Sequence, residues 1–404
     1  MNEKTLTGAP PVAAARLTPF LKYLMATGCG VVVANIYYCQ PLLGALSRAF
    51  HVTEEKASVI NICSQAGYGL GLLLLVPLGD KVERRTLIVW MHLAAAVFLA
   101  AAAMATNVFW MDVASLAVGM ASTACQVFIP LAAHLARDEE RGNVIGVMMG
   151  GLLTGVLLSR TLSGVVADYF GWSVLYFIAA GLMLIMAVLM WYALPREAPA
   201  FKGSYAALMR SLAGLFRTQP VVRESALIGG ALFGAISAFW ATLAFFLEAP
   251  PYRYSLSVIG LFGVIGTGGA LVSPYIGRIT DRSGPFKPMR IGVVLMLLGY
   301  AVLFAGTLSV WVVVAGVVLL DVGLQAAHVP NHARNYSLLP EARTRLNTIY
   351  MSSFFLGGTL GSSLGSVAWN WKGWPGVCIT GLLMVAAGGW AVWNKPLKKV
   401  KGEG

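Results

Sequence analysis

Charged side chains are scarce in this chain. Asp, Glu, Lys and Arg together make up 11% of the 404 residues, whereas a water-soluble domain carries about a quarter. Hydrophobic residues make up 58%, and the mean hydropathy is +0.74. So little charge excludes a soluble globular protein and indicates a membrane protein.

The sequence also lacks common signals of metal and enzyme chemistry. Its five cysteines form no CxxC pair and no cluster with histidine, which argues against a disulfide framework and a zinc site. A membrane-embedded enzyme would need a nucleophile–base set or a metal motif, and no HExxH is present. We therefore expect no metal, no cofactor and no enzyme activity.

Long apolar runs recur along the whole chain, and each is long enough to cross the ~30 Å hydrocarbon layer of a membrane as a helix. The first 20 residues contain no short apolar run that ends at a small-residue cleavage site, so a retained first span is predicted rather than a signal peptide. The sequence predicts an all-α membrane protein with twelve transmembrane spans. In chain order, spans 1 to 12 are 21–47, 57–78, 86–106, 109–136, 143–168, 171–193, 224–248, 255–277, 289–307, 309–336, 345–369 and 374–393.

The positive charge of the chain is distributed unevenly. The net charge is +12, but most of the 29 Lys and Arg lie in the two tails and in the loops that follow the even-numbered spans. Such an asymmetry follows the positive-inside rule, which places these segments in the cytoplasm. We expect a cell inner (plasma) membrane protein with both termini cytoplasmic, and we expect the lipid bilayer, not nucleic acid, as its surroundings.

The chain divides into two halves that resemble each other. The stretch "FGWSVLYFIAAGLML" (170–184) at the start of span 6 is echoed by "KGWPGVCITGLLMV" (372–385) at the start of span 12. Parallel six-helix repeats are one way in which secondary transporters enclose a midplane site. The predicted segments are a cytoplasmic N-terminal tail (1–20), an N-terminal six-helix bundle (21–193), a linker (194–223), a C-terminal six-helix bundle (224–393) and a basic cytoplasmic tail (394–404).

The linker between the halves is basic, and apolar residues recur in it at helical spacing. Leu208, Leu212 and Leu215 lie on one face of the predicted helix, and Arg210 and Arg217 lie elsewhere. This pattern predicts an amphipathic helix on the inner membrane surface.

Two predicted cytoplasmic loops share a charge pattern. "VPLGDKVERR" (76–85) and "GRITDRSGPFK" (277–287) each place an acid at the inner end of a helix with basic residues beside it. Acids contribute little to topology, so a repeated acid implies a partner such as a helix N-terminus or an Arg. We predict a breakable cytoplasmic latch. Its residues are Asp80, Arg84, Arg85, Asp281 and Arg282.

The second of these loops resembles the signature of the major facilitator superfamily, as Gly277-x-x-x-Asp281-Arg282-x-Gly284. "ANIYYCQPLL" (34–43), "QAGYGLGLLLLVPLGD" (65–80) and "RTRLNTIYMSSFFLGGTLGS" (343–362) are similar to a bacterial branch of that superfamily, the twelve-helix drug and sugar efflux permeases. The resemblance implies two pseudo-symmetric bundles of six helices and alternating access. For this branch it also implies export in exchange for protons.

Span 5 resembles the motif of the proton-driven antiporters, with small residues at nearly every motif position from Gly146 to Gly164. Such residues allow close helix packing. Arg160 stands where the motif has proline. Span 4 has no arginine where those antiporters carry one, and Ser115 lies near that position.

Only Arg160 and Asp321 place a charge clearly inside a span, where a charge costs at least ~2.5–3.5 kcal/mol and normally faces a cavity or a partner. Asp321, Gln325, His328 and His332 follow a spacing that puts them on one face of span 10. This stripe predicts a water-filled path, with Asp321 and His328 as proton-coupling residues. A buried structural ion pair of Asp321 is the alternative, and Arg160 could pair with it or hold an anionic substrate.

Polar and aromatic residues on other spans complete the predicted substrate cavity, although a membrane Asn or Gln can instead serve as an interhelical hydrogen bond. The candidate cavity residues are Asn35, Tyr38, Gln65, Gln126, Arg160, Trp240 and Gln325.

These patterns together predict a secondary active transporter that exports a small organic molecule by alternating access in exchange for protons, working as a monomer. A proton-coupled importer of a small organic anion or metabolite is the alternative. A membrane-embedded enzyme and a channel remain rivals from other classes. The residues do not identify the substrate.

Overall fold

The computed structural model describes residues 17–137, 140–196, 203–339 and 342–394, without the side chains of 267–271, 274 and 281. All regular structure in these ranges is helical. The helices are Pro19–Ala34, Gln40–Leu42 and Leu43–Ala49 (span 1), Glu54–Leu74 and Val76–Asp80 (span 2), Arg84–Ala103 (span 3), Val108–Ala121, Ser122–Ala124 and Cys125–Leu135 (span 4), Arg141–Phe170 (span 5), Trp172–Ala193 (span 6), Tyr205–Thr218 (linker), Pro220–Glu248 (span 7), Leu256–Ile265 and Thr267–Ser283 (span 8), Phe286–Leu303 (span 9), Val310–Tyr336 (span 10) and Arg343–Trp393 (spans 11 and 12). Within these ranges, nine helices are long and apolar enough to cross a membrane.

The helix starts follow local sequence signals. Thr18 precedes Pro19 and accepts a hydrogen bond from the amide of Leu21. Thr53 and Asn107 cap spans 2 and 4 in the same way. A side-chain oxygen at the N-cap satisfies one of the backbone N–H groups that a helix start leaves without a partner.

Spans 11 and 12 form one continuous run, Arg343–Trp393, that is broken at Lys372 and Gly373. Gly373 has φ 58°, a left-handed conformation that glycine adopts without steric cost. The Lys-Gly-Trp sequence at the predicted start of span 12 therefore forms the tight turn between the two spans.

The two halves pack with the same internal pattern. Span 1 packs on span 5, span 2 on span 4 and span 3 on span 6; in the second half, span 7 packs on span 11, span 8 on span 10 and span 9 on span 12. Between the halves, span 5 packs on span 8 and span 2 packs on span 11. Span 5 corresponds to span 11 in the other half, and span 8 corresponds to span 2. The two contacts between the halves are therefore equivalent, which is the pattern of two pseudo-symmetric six-helix bundles.

Glycines permit the closest of these contacts. A Cβ added at Gly155 would lie 2.1 Å from the carbonyl oxygen of Gly30, and one at Gly361 would lie 1.9 Å from that of Gly234. These positions join span 5 to span 1 and span 11 to span 7. Small residues bring the backbones of membrane helices together, because lipid gives little hydrophobic drive for their association.

The linker helix packs on protein as well as displaying an amphipathic pattern. Leu208 and Leu212 are buried, and Leu212 belongs to a small core with Val222, Leu346 and Ile349. Part of the apolar face predicted to lie on the membrane surface is thus covered by the C-terminal half. The linker residues 197–202 lie outside the described residues.

Candidate functional site

The end of the molecule that carries the linker helix is called the linker end here, and the opposite end is called the far end. At the far end, three carboxylates join the two halves. Glu248 of span 7 forms a salt bridge with Arg48 of span 1. Asp168 of span 5 accepts hydrogen bonds from the backbone amide (2.7 Å) and the hydroxyl of Ser257 in span 8.

The third carboxylate, Glu54 of span 2, accepts a hydrogen bond of 2.6 Å from the indole Nε1 of Trp369 in span 11. Deeper in the same end, the hydroxyl of Thr161 donates to the carbonyl oxygen of Gly260 at 3.0 Å. A Cβ added at Gly164 would lie 2.3 Å from the carbonyl oxygen of Leu256, so spans 5 and 8 are in backbone contact. The far end is closed by these contacts.

A cavity of about 210 Å³ lies between the halves beneath the closed end. Arg160 of span 5 and Asp321 of span 10 both line it, and they are the two intramembrane charges that the sequence singled out. The other polar lining side chains come from both halves, and so do the aromatic ones. They are Tyr37, Gln40, Phe233, Ser237, Trp240, Gln325, His328, Phe354 and Phe355.

Arg160 is buried and held by two elements. Its Nε donates a hydrogen bond of 2.8 Å to Oε1 of Gln40, and its guanidinium carbon lies 4.0 Å from the ring centroid of Trp240 and 4.8 Å from that of Tyr37. The cation is therefore stabilised by π faces and one amide oxygen. Gln40 in turn donates to Oδ1 of Asn61 at 3.4 Å, so the position of Arg160 is tied to span 2.

Asp321 lies against the backbone of span 8. Its Oδ2 is buried and has no hydrogen-bond partner within the described ranges. A Cβ placed on Gly266 would lie 2.8 Å from this oxygen and 3.3 Å from the indole of Trp240. The glycine thus makes room for the carboxylate next to the ring on which Arg160 stacks. No ion pair shorter than 4.0 Å joins Asp321 to Arg160 among the described contacts.

The two imidazoles of span 10 have their own partners on span 11. Nδ1 of His328 lies 2.9 Å from the hydroxyl of Tyr350, and Nε2 of His332 lies 2.9 Å from Oδ1 of Asn347. The two imidazole rings are stacked with centroids 5.7 Å apart. Each of these two ring nitrogens therefore contacts a neutral group, the hydroxyl of Tyr350 or the amide of Asn347.

A second cavity, of about 400 Å³, continues from the first toward the linker end. The two share Tyr37, Leu152, Val156, His328, Met351 and Phe355 as lining residues. The second cavity also borders His332 and Gln126, and it reaches the exposed residues Arg343 and Thr344 at the linker end. The polar stripe of span 10 therefore follows a path from the closed middle of the molecule to one end.

Three of the predicted cavity residues line neither cavity. The amide of Asn35 donates to the hydroxyl of Ser122 (3.2 Å) within the N-terminal half, and the amide of Gln65 donates to the hydroxyl of Ser362 (3.0 Å) across the halves. Tyr38 is buried in the N-terminal core. These side chains take the structural alternative, interhelical packing, because their helical faces are turned toward neighbouring spans.

The predicted latch residues of the first loop contact their own half. Asp80 and Arg84 form a salt bridge of 3.5 Å within the loop. Arg85 donates to the carbonyl oxygen of Leu194 at 3.5 Å and lies 4.5 Å from the ring of Trp191. The side chain of Asp281 lies outside the described residues, and Arg282 is exposed.

Two residues that are absent from the predicted cavity residues contribute directly to the site. Tyr37 borders both cavities, and Gln40 positions Arg160. Tyr37 is adjacent to the predicted Tyr38 in the turn between the helices Pro19–Ala34 and Gln40–Leu42, so the prediction differs from the structure by one residue. Gln40 precedes Pro41 in an apolar segment, and that isolated amide was the available signal.

Comparison with known proteins agrees with this architecture. The family model described as Major Facilitator Superfamily matches residues 25–333 and 257–403. Uncharacterized transporter YgaY of Escherichia coli K12 is 38% identical over 90% of this chain and 93% of its own length. Transporter SCO4007 of Streptomyces coelicolor is 33% identical over 95% of this chain and 87% of its own length. The chain belongs to the Major Facilitator Superfamily, and it is a multi-pass membrane transporter.

Solved structures show the same fold at low sequence identity. A bacterial homolog of the human lysosomal transporter Spinster, in an inward-facing and unoccupied conformation, matches with a TM-score of 0.70 and 12% identity over 93% of this chain and 95% of that chain. A mutant of the nucleoside transporter NupG matches with a TM-score of 0.68 and 15% identity over 92% of this chain and 98% of that chain.

Proposed function

We propose that this transporter exports a small organic molecule from the cytoplasm in exchange for protons. The observation that carries the proposal is the buried Oδ2 of Asp321, which has no hydrogen-bond partner among the described residues and borders a cavity between the halves. An unpaired carboxylate inside a membrane protein is costly, and such groups mark ion and proton pathways.

Alternating access is supported by the difference between the two ends. The central cavity adjoins a path to the linker end and is covered at the far end by contacts between spans of opposite halves. Rocking of the two bundles would break those contacts and expose the same cavity to the other side. The basic linker and tails favour a cytoplasmic linker end in the inner membrane, so this conformation would face the cytoplasm.

Asp321 would take up a proton from the far side and release it to the linker side. His328 lies seven residues, about two helical turns, nearer the linker end and borders both cavities. The ring nitrogens of an imidazole can accept and donate a proton, so His328 would serve as an intermediate acceptor on this path. The hydroxyl of Tyr350 orients its ring through Nδ1.

The test uses purified protein in proteoliposomes with an imposed pH gradient and a panel of small organic solutes. We expect substrate to move against its gradient and opposite to protons. Asp321→Asn keeps the size of the side chain but cannot be ionised, so gradient-driven movement should be lost while exchange at equal pH and saturating substrate persists. Glu55→Gln, an exposed carboxylate outside the cavities, is the control and should transport normally.

Two outcomes would redirect the proposal. Substrate that moves together with protons would establish the importer alternative. Uphill transport by Asp321→Asn on a pH gradient alone would make Asp321 structural and place the proton site elsewhere.

A further inference from the structure

The central cavity carries two opposite charges that do not neutralise each other by direct pairing. Arg160 uses Nε for Gln40 and its flat face for Trp240, while Oδ2 of Asp321 has no hydrogen-bond partner within the described ranges. Breaking up a buried pair normally costs several kcal/mol, because it leaves uncompensated charges. Two opposite charges that line one cavity without forming an ion pair are what a ligand with two matching charges would satisfy.

From this arrangement we infer that the cavity binds small organic zwitterions, with an ammonium group on Asp321 and a carboxylate on Arg160. The inference rests on the proposed transport function and specifies its substrate class. A planar guanidinium binds a carboxylate through two parallel hydrogen bonds, which gives the anionic end a fixed orientation.

The remaining walls select the body of the ligand. Trp240, Tyr37 and Phe354 present aromatic surface, and aliphatic side chains such as Leu324 and Val156 fill the gaps between them. The expected substrate therefore carries an apolar aliphatic or aromatic body beside its two charges.

The same carboxylate links substrate and proton. Ionised Asp321 can pair with an ammonium group, whereas protonated Asp321 cannot, so proton uptake and ammonium binding exclude each other. The titratable groups that line the cavity are Tyr37, Arg160, Asp321 and His328. Of these, Asp321 alone carries the negative charge that an ammonium requires. Competition for one carboxylate makes each bound proton release one substrate, which is the stoichiometry of an exchanger.

The experiment measures equilibrium binding to the purified full-length protein in detergent, which needs no pH gradient. Three probe sets share one body each: alanine, ethylamine and propanoate; leucine, 3-methylbutylamine and 4-methylpentanoate; phenylalanine, 2-phenylethylamine and 3-phenylpropanoate. We expect at least one zwitterion to bind about tenfold or more tightly than both its amine and its acid, since each lost charge removes a charge-assisted contact.

Variants then assign the two ends of the ligand. Asp321→Asn should lower the affinity for the zwitterion to that of the matching acid, and Arg160→Gln should lower it to that of the matching amine. Arg160→Lys should recover part of the loss, because it keeps the charge without the fork. Arg210→Gln and Glu55→Gln remove the same charges from exposed positions outside the cavity and should bind like the parent.

The inference is overturned if no zwitterion binds, or if in every set that binds the amine or the acid binds as tightly as its zwitterion. Because this comparison uses the unmutated protein, it holds even if a variant fails to fold. Zwitterion selectivity without proton-driven transport would sustain the inference and refute the proposed antiport. Proton-driven transport of a solute with a single charge would do the reverse.

Discussion

The two ends of the molecule are held by different kinds of contact. At the far end, spans of opposite halves meet through glycine-mediated backbone contact and through polar contacts at Glu54, Asp168 and Glu248. At the linker end, the salt bridge between Asp80 and Arg84 lies within one loop, and a cavity of about 400 Å³ separates the halves. The far end therefore carries the contacts between the halves that the proposed alternating access would have to break, whereas the salt bridge of Asp80 and Arg84 does not join the halves.

The far-end contacts are well suited to reversible closure. Exposed ion pairs contribute only ~0.2–1 kcal/mol each, and hydrogen bonds to charged groups contribute roughly 1.5–3 kcal/mol. Backbone contact through small residues adds dispersion without long side chains that would have to be re-ordered. An interface held by a few such weak contacts can open without unfolding either bundle. A continuous apolar interface would resist opening.

Enlarging Gly164 should have the largest effect on this difference between the ends. A Cβ at Gly164 would lie 2.3 Å from a backbone oxygen of span 8, which cannot move as a side chain can. In Gly164→Val we expect overpacking of ~1–3 kcal/mol to open the far end and shift its population about tenfold or more. The measurement is labelling of a cysteine introduced at Ala244, which is buried near the closed end, in a background without the five native cysteines.

Gly146→Val is the matched control for that experiment. It places the same residue on the same helix at a position where a Cβ meets nothing within 4 Å. Labelling at position 244 should stay near the parental level. Equal labelling in both valine variants would show that the contact between spans 5 and 8 does not hold the far end closed.

Removing Asp168 should have an intermediate effect. Its carboxylate accepts from the amide of Ser257 in the first turn of the helix Leu256–Ile265, so it acts as an N-cap supplied by the other half. Asp168→Ala should cost ~1 kcal/mol and raise labelling of the cysteine at position 244 about fivefold. Asp168→Asn keeps one acceptor oxygen and should raise it less. If the Asn and Ala variants are both labelled like the parent, the cap contributes nothing to closure.

Neutralising the pair of Arg48 and Glu248 should have a smaller effect. The side chain of Arg48 is 66% exposed and that of Glu248 is 15% exposed, so water and salt weaken their attraction. A double-mutant cycle with Arg48→Ala and Glu248→Gln should give a coupling of ~0.2–1 kcal/mol, measured as labelling at position 244. The coupling should shrink at high salt. A coupling that is independent of salt would point to packing of the two side chains rather than to their charges.

Changing Asp80 at the linker end should have the smallest effect. Asp80→Asn removes a 3.5 Å salt bridge between two partly exposed side chains of the same loop, so we expect less than ~1 kcal/mol. The predicted latch role requires the shift to favour the state that is open at the linker end, with expression unchanged. A cysteine introduced at Thr344, which is exposed and borders the larger cavity, reports it. Unchanged or reduced labelling at this position would contradict the latch.

Much of the candidate site could be predicted from residue type and helical spacing. Charges inside a membrane are rare and costly, so Arg160 and Asp321 were identifiable without neighbours, and the structure brings them to one cavity. The spacing of Gln325 and His328 from Asp321 placed both on the same lining face. Neutral polar residues were less predictable: Asn35 and Gln65 look like cavity residues in sequence but bond to Ser122 and Ser362. An amide satisfies a neighbouring helix and a cavity equally well, so its orientation depends on which helix is adjacent.

The sequence by itself determined the all-helical architecture, the division into two halves and the two intramembrane charges, because hydropathy, internal repeats and the cost of buried charge act on local composition. Only the tertiary structure decided that Arg160 is held by Gln40 and Trp240 rather than by Asp321, that Tyr37 and not Tyr38 lines the cavity, and that the far end is the closed one. Those outcomes depend on the rotation and approach of helices from distant parts of the chain. A few glycine contacts and single hydrogen bonds set them, and the periodicity of one span carries no information about its neighbours.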